Sequence, residues 1–569
     1  MLKENNVYYN NPLVYIFLTL LLSSFTYEVY FYSRLAAILI AVSLFILVSF
    51  NTEKYLKFFL VITFIIGINN NVYYYDFTAD KTEEIRILSL NYDFGVAEMQ
   101  GRKVNISIYG AEEFIGSKIY AKGEYKKNNN IDKGIVGEFK VLEYEKSKDD
   151  FIVYLYKVKK LLYNKIQNKL GARKAGIISS VAYGDTENLD SYDRENMKHY
   201  GVSHVMSVSG LHITLIYSIS ILLGSNILAM IIAFFYMMFS GARESVIRSY
   251  IMIIVSNLAV KFKREYNMLS ALSLSGIILL IIKPYCLFNI GFILSFINIF
   301  GIYLLNKKLN RVLYKVPEKI RSVIAINLAT QIFTIPICML YFNELCANSI
   351  IGNILIVPLI NLLIVLGNLL ILFIKIPFIF NYILFICKYI IIAIDKAIYF
   401  LEDITLDIFY MHYGFAYLYL SMLITYYFYK KGHKRFIYYP IVVLVYVLII
   451  IYSPIANIKY YRDGGFLVSY RGKRVLIEYG EYNEETEYKL KKSTLTEKNI
   501  DKEDFYKFYI KEGCYIIKNG HNYVLKTEKN QCLLKTNYDK INYKYDIIDF
   551  TKGDIEDVWI LNDNIISRR

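Results

Sequence analysis

The sequence has no glycine-rich loop ending in Gly-Lys-Ser or Gly-Lys-Thr, so it carries no phosphate-binding loop of the NTPase kind. Any ATP-driven step therefore falls to a partner. No small-residue cleavage site follows the first apolar run, which points to an uncleaved anchor rather than a signal peptide. Cysteine is sparse. Cys286, Cys338, Cys346 and Cys387 lie in or near apolar segments and read as packing residues. Cys514 and Cys532 sit in a polar tail, where a disulfide is chemically allowed. The polar regions also lack a charge excess of one sign. Residues 76–150 hold 12 basic and 15 acidic residues, and residues 457–569 hold 21 and 19, which together net −1. The +15 of the whole chain therefore lies in the apolar part, and it does not mark a basic nucleic-acid-binding tail.

What is present is apolar sequence: 55% of the residues are hydrophobic. Long apolar runs recur from Leu13–Phe25 to Tyr439–Ile451, including Leu35–Phe50, Ile213–Leu223, Ile227–Phe239, Ile290–Leu305, Val323–Leu340 and Ile350–Ile374. A spanning helix needs roughly 20 mostly apolar residues, and the pattern predicts a polytopic α-helical membrane protein with about 13 spans. The basic residues cluster in short loops, "KFKRE" (261–265), "NKKLNR" and "KVPEKIR" (306–321) and "KKGHKR" (430–435). This bias assigns those loops to the cytoplasm. Residues 76–150 and the C-terminal tail then both fall on the external face of the cytoplasmic membrane, which requires an odd number of spans.

Five regions follow. Residues 1–75 read as N-terminal transmembrane helices. Residues 76–150 contain "IRILSL", "KVNISIY", "SKIYAKGEYK" and "GEFKVLEYE", which alternate at period two between Gly and Asn clusters and predict a small β domain. Residues 151–172 read as an amphipathic connecting helix on the membrane surface. Residues 173–456 form the large membrane domain. Residues 457–569 read as a small β-rich domain in which "RGK" joins two strands as a hairpin.

The stretch "GVSHVMSVSGLHITL" (201–215) places two histidines, three serines and two glycines at the start of an apolar segment. It resembles the signature of the ComEC-type competence proteins through Gly201, His204, Ser209, Gly210 and His212. "YGDTENLD" (183–190) resembles the Gly-Asp step upstream of it. "SGARESVIRSYIM" (240–252) is similar to a later step through Ser245, Arg248 and Met252. "KPYCLFNIGFILSF" (283–296) resembles the next step. "ATQIFTIPICMLYFNELCANSIIGNILIVPL" (329–359) resembles the one after that, through Gln331, Pro336, Asn353 and Pro358. Five ordered steps over residues 173–370 carry the resemblance.

The resemblance implies an inner-membrane channel that imports single-stranded DNA during natural transformation. It also implies an external OB-like β domain at 76–150, with "IGSKIYAKGEY" as its best match. The implied partners are an external DNA receptor, a cytoplasmic ATP-driven motor, a separate nuclease and membrane lipid. Longer family members end in a metallo-β-lactamase-like domain, and "GGFLVSYRGKRVLIEYG" (464–480) resembles its opening strand pair. A dinuclear centre of that kind needs several imidazoles. After residue 433 there is one histidine, His521, and about 110 residues are too few for the full sandwich. The tail is therefore expected to be a degenerate remnant, with no metal and no cofactor in the chain.

Physical chemistry gives these residues roles beside the resemblance. Non-helical backbone at membrane depth is tolerated where it lines water or is buried in protein. "SVSG" offers the Ser207 and Ser209 hydroxyls, free amides and a flexible Gly210, and His204 and His212 can donate from either ring nitrogen. Arg248 in an apolar helix suits phosphate, with Glu244 at i−4 as the competing partner. Asp185 reads either as a path residue or as a helix-end cap. Asn353 and Pro358 mark an expected helix break, and Gln331 lies one segment before them. Two other classes remain open: an intramembrane serine hydrolase using Ser209 with a nearby histidine, and a small-molecule or polysaccharide transporter.

Overall fold

The structure is a computed structural model that describes residues 11–49, 54–91, 94–108, 116–206, 208–402, 404–461, 465–478, 484–500, 505–520, 522–536, 545–550, 557–561 and 563–568. Ser207 and His521 lie outside the described residues. The chain forms two compact units, Met1–Gln331 with Ala347–Leu406, and Ile332–Cys346 with Asp407–Arg569.

The first unit opens with α1 (Pro12–Tyr32), α2 (Arg34–Ser49) and α3 (Lys54–Tyr75). Gly67 lets α3 close on α1, because a Cβ there would lie 1.9 Å from Ser23 Oγ. Asn71 Nδ2 donates to Ser24 Oγ at 3.1 Å. Small residues and side-chain amides of this kind join helices that have no hydrophobic drive to associate in lipid.

Strands β1 (Thr82–Asn91), β2 (Phe94–Met99), β3 (Arg102–Ser107), β4 (Lys118–Asn130) and β5 (Ile135–Lys146) then close a barrel in the order β1-β2-β3-β5-β4. β1 pairs antiparallel with β4 and β3 pairs parallel with β5. The period-two pattern sends Ile85, Ile87, Ala97, Val104, Ile106, Ile119 and Phe139 inward.

Helix α4 (Phe151–Leu170) begins at the barrel's edge. Asp150 caps it by accepting from Val153 N–H at 3.0 Å, and the same carboxylate pairs with Arg86 of β1. Leu162 and Ile166 of α4 pack into a protein core, while Phe151, Tyr154 and Leu161 on other flanks stay exposed.

The membrane part continues through α5 (Ala172–Ile178), a π-turn at Ser179–Tyr183, α6 (Ser191–His199), α7 (Ser203–Met206), α8 (Gly210–Ser220), α9 (Asn226–Phe239), α10 (Glu244–Lys261), α11 (Met268–Ile282), α12 (Ile290–Val312) and α13 (Glu318–Tyr341). After β6 (Glu344–Leu345) come α14 (Ser349–Leu372) and α15 (Pro377–Glu402). The largest apolar core joins α4, α5, α6, α14 and α15.

The expected break at Asn353 and Pro358 is absent: α14 is one continuous helix with Pro358 inside it. A proline is accommodated within a helix when neighbouring segments re-satisfy the backbone it frees. Among the described residues seven helices are long and apolar enough to cross a membrane, and four apolar helices are shorter.

The second unit contains β7 (Phe409–Tyr410), which pairs with β6, then α16 (Gly414–Lys430) and α17 (Tyr439–Ile451). Its tail is built from β8 (Ala456–Tyr461), β9 (Gly465–Tyr470), β10 (Lys473–Glu478), α18 (Glu484–Thr494), β11 (Lys498–Ile500), β12 (Lys507–Lys511), β13 (Cys514–Asn519), β14 (Asn522–Lys526), β15 (Gln531–Lys535), β16 (Asp546–Asp549), β17 (Asp557–Leu561) and β18 (Asn564–Arg568). Six strands in the order β11-β10-β9-β8-β17-β18 and five in the order β12-β13-β14-β15-β16 share one apolar core. The tail's length argued against a full sandwich, yet two sheets form; a single described helix, α18, accompanies them.

The predicted hairpin turns at Arg471 and Gly472, both at positive φ, as a two-residue turn between twisted strands requires. Cys514 and Cys532 are buried free thiols and do not form the disulfide that was left open.

Candidate functional site

The polar stretch at 200–212 is a break between α6 and α8. Gly201 ends α6 at φ 65°, with Gly201 N–H donating to Lys198 O and Val202 N–H to Met197 O. This is the left-handed glycine cap that satisfies a helix's last carbonyls. Gly352 of α14 packs on this turn, since a Cβ there would meet Tyr200 O at 2.3 Å. One turn of helix, α7, follows. Val205 and Met206 point into the core, while His204 is exposed, its Nδ1 3.2 Å from Gly201 O.

Ser209 is extended and caps α8. Its N–H donates to His212 Nδ1 at 3.1 Å, and its Oγ lies 3.1 Å from the same nitrogen. His212 sits at the third helical position and is fully buried, and its Nε2 has no hydrogen-bond partner among the described residues. Because Nδ1 accepts, a neutral ring carries its proton on Nε2. The serine and histidine thus reach each other as a helix-start box, with no acid behind the imidazole among the described residues.

Arg248 of α10 meets α8 at Gly210. A Cβ on Gly210 would lie 2.7 Å from Arg248 Nη2 and 2.3 Å from Ser249 Oγ, so only glycine lets the two helices approach here. The guanidinium is 6% exposed. Its Nε donates to Ser295 Oγ of α12 at 2.7 Å, and Nη1 is 3.3 Å from Met252 Sδ. The i−4 partner expected from sequence is not the one adopted: Glu244 lies 3.9 Å from Lys283 Nζ instead. Ser295 was missed. Its signal was a lone hydroxyl in the apolar run "GFILSF".

Asp185 lies at the end of the π-turn. Its Oδ1 accepts from Glu187 N–H at 3.3 Å, and its N–H donates to Ser179 O, so it closes a turn. The preceding Gly184, at φ 74°, nests against Val208, and its carbonyl accepts from Arg243 Nη2 at 3.1 Å. Gln331 and Asn353 are set apart from Arg248. Gln331 Nε2 donates to Ser349 Oγ, and Asn353 Nδ2 donates to Asn327 Oδ1 at 2.6 Å, both joining α13 to α14.

Two charged groups were not singled out in the sequence. Lys159 of α4 is buried, its amine 5.3 Å and 5.4 Å from the Tyr156 and Phe239 ring centres. Burial pushes its pKa down to about 8, against the pull of Asp185. A lysine within the apolar stripe of an amphipathic helix was the available signal. Arg173 of α5 binds two carboxylates, Asp193 of α6 and Asp395 of α15, each at 2.7 Å. Among the described residues no three His, Cys, Asp or Glu side chains are grouped to hold a metal ion.

A family model described as Competence protein matches residues 181–431, which takes in the break, Arg248, Gln331 and Asn353. This segment belongs to the competence-protein family. The chain is also similar to a curated relative, ComE operon protein 3 of Bacillus subtilis (strain 168), 29% identical over 192 residues. That match covers 32% of this chain and 24% of the relative, so the chain spans about a quarter of the relative's length. No solved structure matches the chain. The competence segment thus contains every site residue named from the sequence, and the fold gathers Ser209, Gly210, His212 and Arg248 into one place.

Proposed function

We propose that this protein is the membrane channel that passes single-stranded DNA across the cytoplasmic membrane during transformation, making and breaking no bond itself. The observation that carries the reading is the break at 200–212. There, within a run of apolar helices, the chain leaves helical structure, exposes His204 and brings the start of α8 against a buried arginine. Polar irregular backbone at membrane depth belongs beside water or inside protein. An exposed imidazole next to it favours a wet path.

The barrel supports the same reading. Its closure and its order β1-β2-β3-β5-β4 are those expected of an OB-like module, a fold that binds single strands by stacking bases on aromatic rings. Phe94, Tyr120 and Tyr144 are exposed on β2, β4 and β5 and are the rings such stacking would use. In this reading the barrel and the C-terminal tail face outward, and an external receptor, a cytoplasmic motor and a separate nuclease act with the channel.

Uptake of labelled DNA by cells carrying His204→Ala, Ser209→Ala or Arg248→Ala tests it. Uptake should fall for all three at unchanged protein levels in the membrane, with no cleavage activity in the purified chain. Normal uptake by Arg248→Ala would sink the channel reading. Hydrolytic activity lost with Ser209→Ala, alongside intact uptake, would replace it with the serine hydrolase that the Ser209–His212 contact allows.

A further inference from the structure

We infer that Arg474, Lys459 and His412 form a seat for the phosphate of an anionic phospholipid at the foot of the C-terminal tail. The inference is independent of the channel reading and holds for any membrane role of the chain.

Arg474 stands near the start of β10, on the face of the six-stranded sheet turned away from the tail's core. Cross-strand register puts Arg474, Ser469 and Asn457 in one row of that face and Leu476, Leu467 and Lys459 in the next. The core side takes their neighbours Val468, Ile477 and Ile458. Arg474 is 6% exposed. Its Nη1 donates to Thr494 O, at the end of α18, at 2.6 Å. Its Nε is sealed from solvent without a hydrogen-bond partner, and Nη2 has none among the described residues. A carbonyl is neutral. It fixes where the guanidinium lies but leaves the charge unbalanced. The Nε–Nη2 edge, a fork that can take two oxygens of an oxyanion, is unused.

The surroundings add donors and no paired acid. The phenols of Tyr413 and Tyr461 face the guanidinium. His412 is buried beside it. Burial, and after it the charges of Arg474 and Lys459, push the His412 ring down to about 4. Its Nδ1 accepts from Gly414 N–H at 3.1 Å, so the neutral ring carries its proton on Nε2, a further donor. Asp557 stands opposite Lys459 in register, yet it forms no ion pair with Lys459 or Arg474. A guanidinium does not shed its proton, and burying one without a counter-ion is costly. An oxyanion supplies that counter-ion. Lys459 and Tyr461 are partly exposed and leave it an approach.

The membrane identifies the oxyanion. The turn at Arg471 and Gly472 leads straight into β10 and sits on the end of α17. Arg471 N–H donates to Ser453 O at 3.0 Å, and a Cβ on Gly472 would lie 2.5 Å from the Tyr452 ring. α17 is apolar and nearly bare, with Ile441, Val442 and Ile449 more than half exposed. Lipid therefore lies along α17, and Tyr452 at its end marks the interface where headgroups sit. Arg474 follows that turn by two residues. A basic pocket beside a span takes an anionic headgroup.

The test uses the full chain in dodecyl maltoside micelles with dioctanoyl phosphatidylglycerol as probe. The lipid should raise the unfolding midpoint saturably, and dioctanoyl phosphatidylcholine should do so clearly less. Arg474→Met should lose the increment. Arg474→Lys keeps the charge without the fork and should retain only part of it. Lys459→Met should need several-fold more lipid for half the shift. Native mass spectra should show one phosphatidylglycerol retained by the parent chain and lost from Arg474→Met. No increment in the parent chain, or an equal one in Arg474→Met, overturns the seat. If Arg474→Met does not fold, increments equal to the parent's in both Arg474→Lys and Lys459→Met overturn it. Inorganic phosphate that matches the lipid at equal concentration would mean a free anion and overturns the lipid assignment. So would a short oligothymidylate that protects as well as the lipid and loses its effect in Arg474→Met.

Discussion

The Asp193 carboxylate takes both Nε and Nη2 of Arg173, at distances of 2.7–3.1 Å, while almost wholly shut off from solvent. The other edge of the guanidinium holds Asp395. One side chain of α5 thereby fixes α6, whose end leads into the polar break, to α15. Arg173→Met should be clearly destabilising, because it strands a buried carboxylate. The loss should stay below the roughly 3–5 kcal/mol of a fully buried pair, since Arg173 itself is 38% exposed. Asp193→Asn with Arg173→Met should recover part of it. Thermal unfolding of the purified variants measures both, and a double variant no better than Arg173→Met alone contradicts the pairing.

Gly352 should be intolerant of any side chain. A Cβ would press on the Tyr200 carbonyl at 2.3 Å and on Val202 at 3.1 Å, and backbone cannot swing aside as a side-chain end can. Gly352→Val should displace α14 from the turn at 200–202, lower the unfolding midpoint and, on the channel proposal, reduce DNA uptake. Gly224→Ala is the contrast. That glycine, unlike the helical Gly352, is left-handed and has nothing within 4 Å, so only the backbone strain of about 1 kcal/mol remains.

Acid should loosen the junction between the barrel and α4 in a defined window. The hydrogen bond from Arg86, aided by the one from Val153 N–H, holds Asp150 down at about 2. An unfolded aspartate titrates near 3.9. A depressed carboxyl contributes stability that is full above the unfolded value and is lost as pH falls through the folded one. Between about pH 4 and pH 2 the parent chain should therefore lose stability that Asp150→Ala lacks from the outset. Asp150→Asn keeps a capping side chain and should retain part of the roughly 1 kcal/mol of the cap. Denaturant titrations at several pH values decide this; identical pH profiles for parent and Asp150→Ala would refute it.

Cys514 and Cys532 should behave as sealed thiols. Burial pushes them up to about 11 and about 12, so neither is a thiolate at neutral pH. Maleimide added without reductant should modify both after denaturation and neither before, as read by peptide mass. A pair that stays unmodified in denaturant until reduced would show a disulfide instead.

The break at 200–212 was legible because its causes are local. Gly201 in a left-handed cap, Ser209 at a helix start and a histidine three positions on are all near-neighbour chemistry. Most barrel strands were legible for the same reason, since alternation writes the buried face directly into β1, β3, β4 and β5, while β2 was not singled out. Arg248 drew attention as a charge in an apolar helix, but its partner could not be read. Glu244 stood at the right helical spacing, while the hydroxyl it meets is Ser295, 47 residues away. Asp193 and Asp395 escaped notice because nothing local distinguishes them from surface acids.

By itself the sequence determined which stretches are apolar, where turns and caps fall and that the middle of the chain is a competence-type segment. These depend on covalent identity and on contacts within a few residues. Only the tertiary structure decided that α14 runs unbroken through Pro358, that the strands of the tail form two sheets, and that α8 packs at Gly210 against Arg248. Those outcomes depend on which distant surfaces pack together, and packing is chosen by the shape and polarity of residues far apart along the chain.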